Sequence, residues 1–134
     1  MKVTAQRRKG YAHSLTAGNH ALVVDEPVDQ GGTDTGPTPS QLLALSLASC
    51  TAITVEMYAA RKQWDVGALA VDVDYEPGKN EVPRFDVTIV LPDELPEEQA
   101  QQLLKIAGKC PVHRALKGGV EITDRVMPRN ASPT

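Results

Sequence analysis

The spacing of polar and apolar positions changes several times along the chain, and each change marks a different element. Residues 2–9, 11–16 and 20–25 read as short extended segments separated by Gly10 and by the turn Ala17-Gly18-Asn19. They predict a small antiparallel meander. Residues 26–39, EPVDQGGTDTGPTP, concentrate glycine, proline and small polar side chains, which is the composition of a loop, ordered or mobile. Thr38-Pro39-Ser40-Gln41 then places a hydroxyl N-cap, a proline at the first helical position and an amide at the third, the signature of a capping box. The helix expected from about 39 to 63 is apolar nearly all round, from Leu42 and Leu43 through Leu47 and Ile53 to Met57. Such a helix needs to be enclosed on every side.

Strand patterning follows. Val71, Val73 and Tyr75 alternate with Asp72, Asp74 and Glu76, and after the turn Pro77-Gly78-Lys79-Asn80 the apolar residues Phe85, Val87, Ile89 and Leu91 alternate again. This predicts a hairpin with one buried face. Pro96-Glu97-Glu98 opens a second helix whose apolar face is Leu103, Leu104, Ile106 and Ala107 and whose end is Gly108. Cys110-Pro111 starts a short third helix through about Leu116, and a final strand is expected over 120–126. Residues 1–126 form one α+β domain in this reading, with 127–134 as a disordered tail.

Composition narrows the function. A chain of 134 residues with 41% hydrophobic content suits a single packed domain. A formal charge of -3 and 4% aromatic residues give no general attraction to nucleic acid or anionic lipid, and favour a small-molecule or protein partner. The N-terminal MKVTAQRRKGYAHSL has no apolar stretch behind its charges, so it does not read as a secretory signal and a cytoplasmic location is expected. The run 42–57 is broken by Ser46, Ser49, Cys50, Thr51, Thr54 and Glu56, and reads as too short and too polar to cross a bilayer.

Candidate chemistry rests on two cysteines. Cys50 falls mid-helix with Ser46 and Thr54 on the same face, a small-residue stripe that equally suits close helix packing. Cys110 before Pro111 is a candidate N-cap, where the helix dipole and Lys109, His113 and Arg114 would lower its pKa. The alternative is a thiol merely tolerated at a loop-to-helix junction. Cys110 and His113 also make a CxxH pair, which Cys50, His13 and His20 could extend, but structural zinc normally uses two close-spaced pairs and one is present. No metal or organic cofactor is expected. GxSxG, GxxxxGK[ST] and GxGxxG sequences are absent.

At GGTDTGPTPSQLLALSLASCTAITVEMYA, residues 31–60, and KCPVHRALKGGVEI, residues 109–122, the chain resembles the OsmC/Ohr superfamily, in its short OsmC-like branch. The resemblance implies an α+β fold in which two subunits intertwine, with long apolar central helices enclosed by antiparallel sheets. It also implies a thiol-dependent peroxidase acting on organic hydroperoxides, with Cys50 as the peroxidatic cysteine, Cys110 as the resolving cysteine, and a cellular dithiol as reductant of their disulfide. The family uses an arginine from the N-terminal strands, for which Arg8 is the best match and Arg7 the runner-up. Its best-studied branches carry a glutamate ten residues before the first cysteine, where this chain has Ser40. Gln41, Asp34 and Glu56 are the possible substitutes, although Glu56 faces about 120° away from Cys50 on a helix of 3.6 residues per turn. A second reading keeps the same fold and makes it a protein that binds or senses an apolar small molecule, with thiols that turn over poorly.

Overall fold

The computed structural model describes residues 1–128. Three antiparallel strands open the chain, β1 (Val3–Lys9), β2 (Ala12–Ala17) and β3 (His20–Val24), in the order β1-β2-β3. A short 3-10 turn, Val28–Gln30, interrupts the loop that follows. Helix α1 (Pro39–Lys62) comes next, then the hairpin β4 (Ala70–Glu76) and β5 (Arg84–Val90), then α2 (Glu97–Ala107) and α3 (Pro111–Gly118).

The local signals hold where expected. The Gln41 backbone N–H donates to Thr38 Oγ1 at 3.1 Å and the Thr38 N–H donates to Gln41 Oε1 at 2.9 Å, closing the capping box. In the hairpin, Val71, Val73 and Tyr75 stand opposite Ile89, Val87 and Phe85 on the half-buried face, while the acids between them point to solvent. Tyr75 and Phe85 stack with ring centroids 4.6 Å apart. Val55, Ala59, Val66, Leu103 and Ala107 form the core, so α1 packs against α2 on one flank and against β4 on another.

Two expectations fail. Residues 119–128 form no strand. Val120 and Ile122 keep a strand-like alternation but are 66% and 76% exposed and pair with no described strand. Of the expected tail, residues 127 and 128 carry no regular structure, and 129–134 lie outside the described residues. Length does not bar α1 from a membrane either: its 24 residues are long and apolar enough by length and composition. What marks it as a core helix is its packing on β4, α2 and α3.

Enclosure is also incomplete within one chain. Leu47, Thr51, Val55 and Ala59 are buried, whereas Leu45, Ile53 and Met57 are more than half exposed. The three-stranded sheet stands apart from this core: its strands pair among themselves, and every residue of β1 is exposed.

Candidate functional site: a paired thiol beside an apolar groove

Cys50 lies in the middle of α1, half-buried, and Cys110 is fully buried at the start of α3. Packing of α3 on α1 brings the two thiols, far apart in sequence, close enough for Cys50 to shift the acidity of Cys110. Both are free thiols.

Cys110 is the N-cap of α3, with Pro111 as the first helical residue, and the His113 backbone N–H donates to its sulfur at 3.5 Å. Its acidity nevertheless shifts the other way from the sequence expectation. Burial raises the pKa most, and the neighbouring Cys50 thiol raises it further, against the smaller lowering from the His113 and Val112 amides. The cap geometry forms, but the desolvation of a thiolate outweighs it. Burial and the neighbouring Cys50 thiol thus both favour the protonated form of Cys110.

Beside the pair runs a groove of about 620 Å³, walled by Leu43, Leu47, Phe85, Val87 and Leu116, with His113 and Lys117 at one side. Leu47 lies one turn before Cys50, and His113 one turn after the Cys110 cap, so the groove borders the thiol contact. Thr51, next to Cys50, has a buried hydroxyl without a hydrogen-bond partner among the described residues.

The arginines sit at the end of β1. Pairing runs from Arg7 opposite His13 to Lys9 opposite Ala12, so a β-bulge leaves Arg8 as the extra residue. Simple alternation therefore cannot assign faces to Arg7 and Arg8. Arg7 Nε donates to the Gly10 carbonyl at 3.0 Å, which ties it to the turn, while Arg8 is exposed and has no side-chain hydrogen bond or ion pair among the described residues. A single chain does not gather Arg8 with the thiols.

Ser40 is exposed on the first turn of α1, and Gln41 is committed to the capping box. Sequence reasoning missed two carboxylates nearby. Asp25, at the end of β3, is buried and receives the backbone N–H and hydroxyl of both Thr33 and Thr35, with Oγ1 distances of 2.6 and 2.8 Å, and the Glu26 N–H at 2.7 Å. The Thr33 hydroxyl first, and then that of Thr35, hold its carboxyl far below the usual range despite the opposing effect of burial. This web orders the loop whose composition alone left order and mobility open. The same loop needs Gly36, where a Cβ would collide with the Val23 carbonyl. Glu26 is half-buried and lines a cavity of about 650 Å³ with His13, Leu15, Pro39 and Leu42, beside the start of α1. The signal that could have found both is an acidic pair at a strand end preceding a Gly/Thr-rich loop.

A two-layer α+β chain whose long central helix carries one member of a contacting thiol pair is the class that this geometry defines. Residues 32–124 match the model of the OsmC-like protein family, and the chain belongs to that family. Solved structures agree with this. An OsmC-like protein from Mycoplasma pneumoniae superposes with a TM-score of 0.75 at 19% identity, over 87% of this chain and 86% of that one. The organic hydroperoxide resistance protein OhrB of Bacillus subtilis gives 0.59 at 28% identity over 90% and 92%. An organic hydroperoxide resistance protein OsmC from Legionella pneumophila gives 0.61 at 20% identity over 88% and 90%. A comparison with curated proteins returns no match.

Proposed function

We propose that this protein is a cysteine-based peroxidase that reduces organic, fatty-acid-like hydroperoxides to alcohols as a cytoplasmic homodimer. The observation that carries the reading is the contact between the Cys50 and Cys110 thiols beside an apolar groove. The Cys50 thiolate attacks a peroxide oxygen and breaks the O–O bond; the alkoxide leaves and takes a proton as the alcohol, and Cys50 becomes a sulfenic acid. The Cys110 sulfur then displaces the hydroxyl as water and forms the Cys50–Cys110 disulfide. A buried Cys110 that keeps its proton suits the second step, because it stays unreactive until the sulfenic acid beside it needs a partner. Two electrons from a cellular dithiol restore both thiols.

The dimer reading rests on surfaces that one chain leaves open: the Leu45, Ile53 and Met57 stripe of α1, the detached N-terminal sheet, and the unpaired residues 119–128. In the dimer Arg8 is the arginine that holds the Cys50 thiolate, and Glu26 takes the orienting role that Ser40 cannot fill. Ser40 together with the size of the groove favours a second reading, in which the protein binds or senses an apolar molecule and turns over slowly.

Thiol titration of the reduced protein before and after one equivalent of cumene hydroperoxide, with mass spectrometry of the product, separates the two. Loss of both thiols with a Cys50–Cys110 link is expected. Cys50→Ser should abolish peroxide consumption, and Cys110→Ser should leave a sulfenic acid that dimedone traps. Thiols that survive in a folded dimer reject the peroxidase in favour of the binding reading.

A further inference from the structure

One surface runs against the charge of the molecule as a whole. The formal net charge is -3, yet no acidic residue occurs between Glu98 and Glu121, while Lys105, Lys109, Arg114 and Lys117 fall in that stretch. The fold gathers them. Together with His113 they line a shallow, open groove of about 470 Å³ between the end of α2 and the face of α3. Arg84 and Asp86 make the only salt bridge among the described residues, so none of these cations is neutralised by a described carboxylate. Exposed cations are stable in water, so charge alone names no partner. Position does: the His113 backbone N–H donates to the Cys110 sulfur, and the same residue lines the basic groove. The surface thus lies against the helix start that holds one half of the thiol pair.

We propose that this groove docks the protein that re-reduces the Cys50–Cys110 disulfide, a partner whose reactive dithiol is surrounded by acidic side chains. The proposal rests on the peroxidase reading above. A thiolate of the partner attacks one sulfur of the disulfide and forms a mixed disulfide; its second thiol then attacks the partner's own sulfur in that bond. The partner leaves oxidised by two electrons, and Cys50 and Cys110 are returned as thiols. Cys110 is fully buried and Cys50 half-buried, so productive collisions are rare unless approach is oriented. Opposite charge around the entry raises the encounter rate and fixes the orientation. A small anion would want an enclosed site, and this groove is open. Nucleic acid would want aromatic stacking surface, and the groove is lined by none.

The test oxidises the full chain with cumene hydroperoxide and follows re-reduction by three probes. These are dithiothreitol, a peptide with a Cys-Gly-Pro-Cys dithiol flanked by glutamates, and the same peptide flanked by lysines. At low ionic strength the glutamate peptide should react at least about tenfold faster than the lysine peptide. That gap should close at about 0.5 M salt, where charges are screened over a few ångströms. It should also narrow in Lys105→Glu, at a residue that lines the basic groove and not the apolar one, while the rate with dithiothreitol stays at the unmodified value. The milder Lys105→Gln, at the same exposed site in the last turn of α2, should narrow the gap in the same direction and covers the case of a charge-reversed variant that does not fold. Equal rates for the two peptides, with dithiothreitol still effective, overturn the docking surface and leave the peroxidase standing. Absence of any disulfide that dithiothreitol can reduce overturns both.

Discussion

Two stripes of α1 run side by side, each with residues four positions apart. Leu47, Thr51, Val55 and Ala59 are sealed against Leu103, Ala107 and the hairpin, while Leu45, Ser49, Ile53 and Met57 face outward, with Ile53 and Met57 58% and 60% exposed. The outward stripe is no less apolar than the inward one. What separates them is which neighbours the rest of the chain can bring, since burial of a helix face comes from packing and not from propensity. The finished side carries the stability of the single chain; the open side leaves Leu45, Ile53 and Met57 to solvent, the surface that the proposed dimer would cover.

That contrast can be broken in four ways. The largest effect belongs to the sealed side: Leu103→Ala, at a site with no exposed surface, should cost about 2–5 kcal/mol in urea unfolding. A loss under 1 kcal/mol would mean that this core is not the one holding the chain. On the open side, Ile53→Glu should weaken self-association by about 2 kcal/mol or more, read by analytical ultracentrifugation, with the helical circular dichroism of each chain kept. If the variant and the unmodified protein sediment alike, the outward stripe is not the dimer contact.

Smaller effects come from the loop between the two regions. Asp25 has a folded-state pKa depressed below its ordinary value of 3.8, so it contributes stability at neutral pH that is lost as pH falls below that value. Asp25→Asn should therefore lower the urea midpoint at neutral pH and flatten the acid limb of the stability profile; parallel profiles would show that the threonine web adds nothing. The smallest effects concern Arg8 and Glu26, to which the proposal gives the roles of thiolate partner and orienting acid. Arg8→Ala should slow alkylation of Cys50 at neutral pH about tenfold, the size expected of losing one nearby cation, and Glu26→Gln should slow it less. An equal slowing by Arg7→Ala, with Arg8→Ala silent, would transfer the role to Arg7.

By itself the sequence determined what depends on neighbours a few residues away. The capping box at Thr38, the Cys110-Pro111 helix start, the alternating hairpin strands and the bounds of α1 were all legible, because caps, turns and periodicity act within a turn or two of the chain. The tertiary structure alone decided the rest. Contact between Cys50 and Cys110 depends on how α3 lies on α1, and the raised pKa of Cys110 depends on burial that its capping position does not reveal. The bulge at Arg8 arises from pairing with β2, and the web around Asp25 joins residues up to ten positions apart through side chains that look like ordinary loop polarity. Residues 119–128 make the same point in reverse: an alternating pattern is an invitation to a ladder, and without a partner strand the backbone N–H and C=O groups stay with water.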